Sequence, residues 1–443
     1  MIYFNLFVNR VRFILLSIGW LGAILNILLG ESVRGLVNIS VACFLLFVLL
    51  TLPRLRLSSI LILLFLTIVS WLLLDHFPSN EDWMAAGRYS LIFCGLIPTM
   101  ALVRSTASVM PSVQRTQAAL AALPPSTSIS GIQLASHFFG GVINMGVLPI
   151  ISASIPKDSD ILRRQAYAEA ALRGMVTSAA WSPFFIAFAV GQAFTGNLDS
   201  WIAISLGVVT ALIFACISLP YTNKSFSRNQ IYVSLVCLKP VLFRLTVVLF
   251  AVLIVAFLFN YTALSAVILV MPVLVILQVI RNPIEVKSIF LQTKTSMTAT
   301  ADDIIVISAA MIVAFLATRA GAFSVFVSLI YPGTIPGWFA LVITPVAMML
   351  ASTIGIHPVI TSTALLGTFS GGAVDVHPAL LMQAHLIGWG AGTMPSIVSL
   401  SVITCARLFR VPVNNLCFGQ NFKVSFFYAL LGGSILSLLN FIL

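Results

Sequence analysis

Charge is what this chain has least of. Of its 443 residues 8% are Asp, Glu, Lys or Arg, only 12 of them acidic, while 60% are hydrophobic and the mean hydropathy is +1.10. So little polar surface cannot cover a water-soluble globule of this length, which argues against a soluble enzyme and makes lipid the main solvent. Catalytic signatures are missing too: the sequence has no Walker loop, no GxSxG elbow and no HExxH, so a nucleotide-driven pump or a zinc hydrolase has no motif to stand on. Six cysteines (Cys43, Cys94, Cys216, Cys237, Cys405, Cys417) are scattered without a CxxC spacing. They read as packing residues rather than metal or redox ligands.

What is present instead is a succession of apolar runs of roughly 17–20 residues, the length that crosses about 30 Å of hydrocarbon as a helix. Spanning helices are expected at about 13–30, 36–52, 60–76, 88–104, 201–219, 241–260, 263–281, 301–318 and 424–442. The first run, Phe13–Leu29, follows Arg10 and Arg12 but is not followed by an A-x-A cleavage site, so it reads as a retained helix. The net charge of +11 could suit nucleic acid, but its placement decides otherwise. With the N-terminus cytoplasmic, Arg10, Arg12, Arg54, Arg56, Arg104, Arg115 and most later Lys/Arg fall inside, whereas Arg34, Arg88, Arg319 and the acidic stretch Asp75, Glu81, Asp82 fall outside. That is the positive-inside pattern, and it needs no nucleic-acid partner.

Two regions, 124–195 and 332–407, are apolar but interrupted by Gly, Pro, Ser and Thr. Non-helical backbone at membrane depth is tolerated only where protein or a water-filled cavity satisfies it, so the interruptions mark the expected site. The two regions also match each other. Gly146-Val147-Leu148-Pro149 corresponds to Gly355-Ile356-His357-Pro358 at an offset of 209, and Ala180-Trp181-Ser182-Pro183 to Gly392-Thr393-Met394-Pro395 at an offset of 212. Paired prolines, Pro124-Pro125 and Pro332…Pro336, introduce both regions.

The expected fold is an all-α polytopic membrane protein with about 11 transmembrane helices plus two re-entrant hairpins in two inverted-topology repeats. Residues 1–35 form an extra N-terminal helix. Residues 36–220 form the first repeat, with a hairpin at 124–156 and a broken helix at 160–195. A cytoplasmic linker at 221–240 leads to the second repeat, 241–443, with a hairpin at 332–370 and a broken helix at 378–407. An odd number of crossings per repeat is what turns the second copy over.

At the tips Ile143-Asn144-Met145-Gly146 and Ser352-Thr353-Ile354-Gly355, and at the breaks Thr177 to Pro183 and Gly390 to Ser396, the chain resembles the ion transporter superfamily. The divalent anion:sodium symporters and their arsenite, citrate and dicarboxylate relatives are the nearest in pattern. The resemblance implies a hairpin tip followed by a helix broken at a Gly/Thr-Pro segment, in each half. Neither tip carries the family's Ser-Asn-Thr intact, and neither break has a doubled proline. Architecture is therefore implied more directly than cargo.

A broken helix exposes N–H ends that can hold an anion and C=O ends that can hold Na⁺. The candidate ligands are Asn144, Gly146, Thr177, Ser178 and Ser182 in the first half, with Ser352, Thr353, Gly355, Gly392, Thr393 and Ser396 in the second. Small residues that merely let helices approach are the competing explanation. Arg173, with His385 as its counterpart at the 212 offset, is a candidate anion group, although Glu169 four residues earlier could neutralise it as an ion pair. His357, beside the second tip, is a candidate proton group. Asp302-Asp303 reads as a helix N-terminal cap, and Asp375 and His377 as solvent-exposed loop residues.

These features together point to a secondary active transporter of a small anionic solute, coupled to Na⁺ or H⁺ by elevator-like alternating access, with no cofactor beyond the coupling ion. The expected setting is a bacterial-type inner membrane with the N-terminus cytoplasmic and the C-terminus outside; the partners are the solute, the bilayer and a second copy of the chain as a homodimer. A cation/proton antiporter or oxyanion exporter on the same scaffold, and a non-transporting component of an assembly or lipid-linked pathway, remain the alternatives.

Overall fold

The computed structural model describes every residue except 1, 75, 157, 224–226, 323–324, 326–334, 371–373 and 443. Asp75, and with it Pro332 of the second proline pair, lies outside the described residues. In chain order the helices are α1 (Ile2–Leu29), α2 (Arg34–Thr51), α3 (Leu57–Leu73), α4 (Asn80–Ser108), α5 (Pro111–Ala121), α6 (Pro125–Ile143), α7 (Val147–Ser152), α8 (Ile161–Thr177), α9 (Ile186–Gln192) and α10 (Asn197–Thr222). They continue as α11 (Arg228–Phe259), α12 (Ala263–Arg281), α13 (Val286–Ala299), α14 (Ala301–Arg319), α15 (Gly337–Thr353), α16 (Pro358–Ser370), α17 (Pro378–Thr393), α18 (Leu400–Phe409), α19 (Val413–Phe418) and α20 (Gln420–Leu439). Among the described residues, 9 helical stretches are long and apolar enough to cross a membrane. The chain is an all-α polytopic membrane protein.

The chain divides into two compact units, Met1–Thr106 with Val252–Ile330 and Ala107–Ala251 with Tyr331–Leu443. The first unit is built from long helices whose ends match in charge. At one end Arg12 on α1 donates to Thr51 on α2 (2.9 Å), Arg54 donates to Asn9 (3.0 Å), and Arg56 pairs with Asp302 on α14 (3.5 Å). At the other end Asp82 on α4 meets Arg319 on α14 at 2.9 Å. Close approach in between is set by glycine: a Cβ on Gly22 would stand 2.1 Å from the Ser40 hydroxyl, and one on Gly87 2.7 Å from Val41. Outward faces carry bare hydrocarbon such as Leu61, Leu64, Phe65 and Ile68 on α3, as a lipid-facing helix requires.

Asp302 and Asp303 lie in the first turn of α14, where they complement its N-terminus as expected, but neither makes a side-chain cap bond. Thr300 caps α14 without a side-chain bond, and Asp302 instead accepts from the Arg56 backbone N–H (3.0 Å) and the Ser59 hydroxyl (2.9 Å). It therefore serves the start of α3, where the N-cap Arg56 offers no acceptor of its own.

The second unit holds α5 to α10, α11 as far as Ala251, and α15 to α20. The expected linker 221–240 is mostly helical, because α11 already begins at Arg228. Gln230, Ser234, Cys237, Leu238 and Val241 are buried at helical spacing, so this stretch has a packed face and no reason to remain a loop. At about 1.5 Å per residue its 32 residues outrun a 30 Å hydrocarbon core. His377 is likewise no bare loop residue: its Nδ1 accepts from the Ala379 N–H (3.2 Å) and caps α17 ahead of Pro378.

Candidate functional site

Twice in the second unit a helix stops, the backbone leaves helical geometry and a second helix starts. The first pair is α6 with α7 and α8 with α9; the second is α15 with α16 and α17 with α18. The halves interlock. α18 packs on α7 and α8, while α9 packs on α16 and α17. Gly390 near the end of α17 lies against the Val176 carbonyl near the end of α8, where a Cβ would come to 2.7 Å.

The breaks have local causes. α6 ends at Asn144, whose φ of 50° and ψ of −131° is a conformation that favours glycine. α15 ends at Gly355, with φ of 93°. Asn144 and Gly355, rather than Gly146 and Gly355, are the positive-φ residues of the two tips. Past α8 the chain runs through a 3-10 turn, Ser178–Ala180, and α9 resumes at Ile186. Past α17, Pro395 stands two residues beyond Thr393, where a missing N–H and a fixed φ end the helix.

Thr177 and Thr393 each close a half-helix, and each donates its hydroxyl to the carbonyl four residues back, Arg173 and Trp389, at 2.8 Å. Counted from these two ends the register is 216, so Arg173 falls opposite Trp389 and His385 opposite Glu169.

Most candidate hydroxyls are already bonded. Ser178 donates to Met175 O (2.6 Å), Thr353 to Met349 O (2.9 Å), and Ser182 to Gly141 O on α6 while accepting from the Phe184 N–H. Ser352 and Ser396 differ. Both are fully buried, and neither hydroxyl has a hydrogen-bond partner among the described residues. Ser352 lies against Gly392, where a Cβ would approach its Oγ to 2.7 Å, so the second tip and the second break meet at this point. Gly146 is buried in the first tip, and Asn144 beside it is half-buried.

Arg173 is 1% exposed, yet the expected pairing with Glu169 is not what holds it: no ion pair joins them. Its Nε and Nη2 donate to Asn421 Oδ1 (3.1 and 2.8 Å), and its Nη1 donates to Gln133 Oε1 (3.0 Å). Glu169 instead accepts from the Gln165 amide at 3.0 Å. Helix geometry explains the miss: four residues apart allows a pair, but Asn421 on α20 takes the guanidinium first and also donates to the Glu169 backbone carbonyl. Arg173, Glu169, Gln165, Thr222 and Gln420 line a cavity of about 190 Å³.

The histidines are ties. His385 donates Nε2–H to Ala187 O on α9 (2.8 Å), and its Nδ1 meets the Ser362 hydroxyl on α16 (2.9 Å). A neutral ring satisfies both partners. His357 accepts the Val359 N–H at Nδ1 (3.2 Å) and so caps α16, the same device as His377 on α17.

His137 on α6 was not singled out in the sequence. Trp181 donates to its Nε2 (3.0 Å), so its Nδ1 carries the proton, which is directed to Gly174 O (3.3 Å) and Thr177 Oγ1 (3.2 Å). The Gln383 amide, oriented so that nitrogen donates, reaches Ala203 O (2.9 Å) and Ala180 O (3.0 Å). Polar side chains inside apolar runs were the available signal for His137, Gln133, Gln383 and Asn421.

Comparison with known proteins adds little beyond this geometry. No protein-family model matches the chain, and no curated protein does. Among solved structures the chain is similar to the YdaH transporter of Alcanivorax borkumensis, described as having an unusual topology. The identity is 13% and the TM-score 0.40, over 86% of this chain and 96% of that one.

Proposed function

We propose that the chain is a secondary active transporter of a small anionic solute, coupled to Na⁺ or H⁺, with elevator-like alternating access on two inverted repeats in a bacterial-type inner membrane. The observation that carries this reading is the pair of buried, unpartnered hydroxyls, Ser352 and Ser396, at a tip and a break that touch through Gly392. Other buried hydroxyls, Ser112, Ser136 and Ser308 among them, also lack a partner among the described residues; these two stand out by lying where a tip meets a break, and a bound ion or solute is a direct reason for keeping them unpaired there. Arg173 supports the anionic cargo: two neutral amides orient its guanidinium beside a cavity, with the Glu169 carboxylate on the same cavity but outside ion-pair distance.

The reading is tested by solute flux in proteoliposomes under imposed Na⁺ and H⁺ gradients, starting from carboxylates and oxyanions. Flux should follow one of the two gradients, and Ser352→Ala with Ser396→Ala should lower it at least tenfold. Asn144→Gly should separate structure from function, relieving about 1 kcal/mol of backbone strain while removing a tip amide, so that the protein is more stable and slower. Flux indifferent to both gradients, or unchanged by the serine substitutions, rejects the assignment.

A further inference from the structure

The first unit contains a cavity of about 280 Å³ among α1, α4, α12 and α13. Its walls are hydrocarbon from Trp20, Leu102, Val275, Val279, Ile289 and Met297. Two features at the α13 side do not suit a purely apolar filling. Thr293 is 6% exposed, and its Oγ1 has no hydrogen-bond partner among the described residues. Thr295 and Thr300 around it bond the carbonyl four residues back, as threonines in helices commonly do, but Thr293 does not. Next to it Lys294, also lining the cavity, holds its ammonium over the Phe13 ring, 5.6 Å from the centroid. No carboxylate forms an ion pair with it among the described residues.

α13 joins two helices that are long and apolar enough to span, and exposes Phe290, Leu291 and Lys287 on its surface. An amphipathic segment of this composition lies in the membrane interface with its lysines at headgroup level. Arg10, Arg12, Arg54, Arg56 and Arg281 belong to the same end of this unit, against Asp302, Asp303 and Glu285. The excess of positive charge there complements an anion.

We propose that this cavity is a binding site for one anionic glycerophospholipid. An acyl chain occupies the apolar cavity, the phosphate neutralises Lys294, and an ester or phosphate oxygen accepts from Thr293 Oγ1. A zwitterionic lipid brings its own cation beside its phosphate and adds no net negative charge at this basic end, and a free phosphate would leave the apolar walls unfilled. The site does not depend on whether the chain transports a solute.

The test uses the full chain in nanodiscs of equal phosphatidylglycerol and phosphatidylcholine, released into mild detergent and weighed by native mass spectrometry. One phosphatidylglycerol per chain is expected to survive release. Lys294→Gln should lower the retained fraction about fivefold, the equivalent of roughly 1 kcal/mol for one basic residue at an anionic headgroup. Val279→Phe, which fills the cavity from α12, should remove the adduct while gel filtration stays monodisperse. Equal retention of the two lipids, an adduct insensitive to both substitutions, or displacement by inorganic phosphate alone would each overturn the proposal.

Discussion

Arg173 illustrates how a buried charge is kept in this protein. Its guanidinium is fixed by Asn421 and Gln133 rather than by a carboxylate. Hydrogen bonds to a charged group contribute about 1.5–3 kcal/mol each, and removing the partner strands the charge. Asn421→Leu should therefore destabilise by roughly 3 kcal/mol, more than Arg173→Met, which removes the charge along with its need for partners. Denaturant midpoints in mixed micelles check the order, and equal midpoints for the two variants would contradict it. The sequence showed Arg173 at the approach to a break and Glu169 four residues before it, but Asn421 lies 248 residues away. No local pattern connects them. The same holds for His385: its type and depth suggested a cationic group, whereas its bonds to Ala187 and Ser362 make it a tie between elements. His357 was singled out by its place beside the second tip; its Nδ1 caps α16, a contact that the His377-Pro378 step repeats on α17.

At the scale of elements, the long helices were legible because an apolar run of spanning length has few alternatives. The stretches at 201–219, 263–281 and 301–318 fall within α10, α12 and α14 with ends displaced by only a few residues. The breaks were legible from Gly and Pro, but their register was not, because Asn144 adopts a conformation that its type only tolerates. Packing of α10 against the first break shows what the sequence withheld. A Cβ on Gly207 would stand 1.9 Å from the Ala180 carbonyl, a backbone atom that cannot rotate away. Gly207→Ala should cost at least about 2 kcal/mol through forced separation of α10 from the break. Gly35, near the start of α2 with nothing within 4 Å, is the control: Gly35→Ala should be neutral or stabilising by about 0.5 kcal/mol. Thermal unfolding of the two variants in the same detergent separates close packing from intrinsic helix preference.

At the scale of the molecule, the division into two units cuts across the chain order, since each unit joins segments from both halves of the sequence. Periodicity reads neighbours along the chain and cannot reveal this. Lys/Arg placement can nevertheless be carried to a molecular prediction. In the first unit Arg12, Thr51, Arg56 and Asp302 meet at one end and Asp82 with Arg319 at the other, so α1, α2, α3, α4 and α14 alternate in direction. By the positive-inside rule, an excess of Lys/Arg on the first end predicts that it faces the cytoplasm. In the proposed topology of eleven crossings, with each tip returning to the side it enters from, the termini are expected on opposite faces, the N-terminus inside and the C-terminus outside. Reporter fusions at the two termini, scored by protease protection in intact spheroplasts, should give opposite results. Two termini on one face would mean an even number of crossings; with α1 itself shown to cross, that leaves one repeat with an even count and removes the inverted pairing on which the proposed transport site rests.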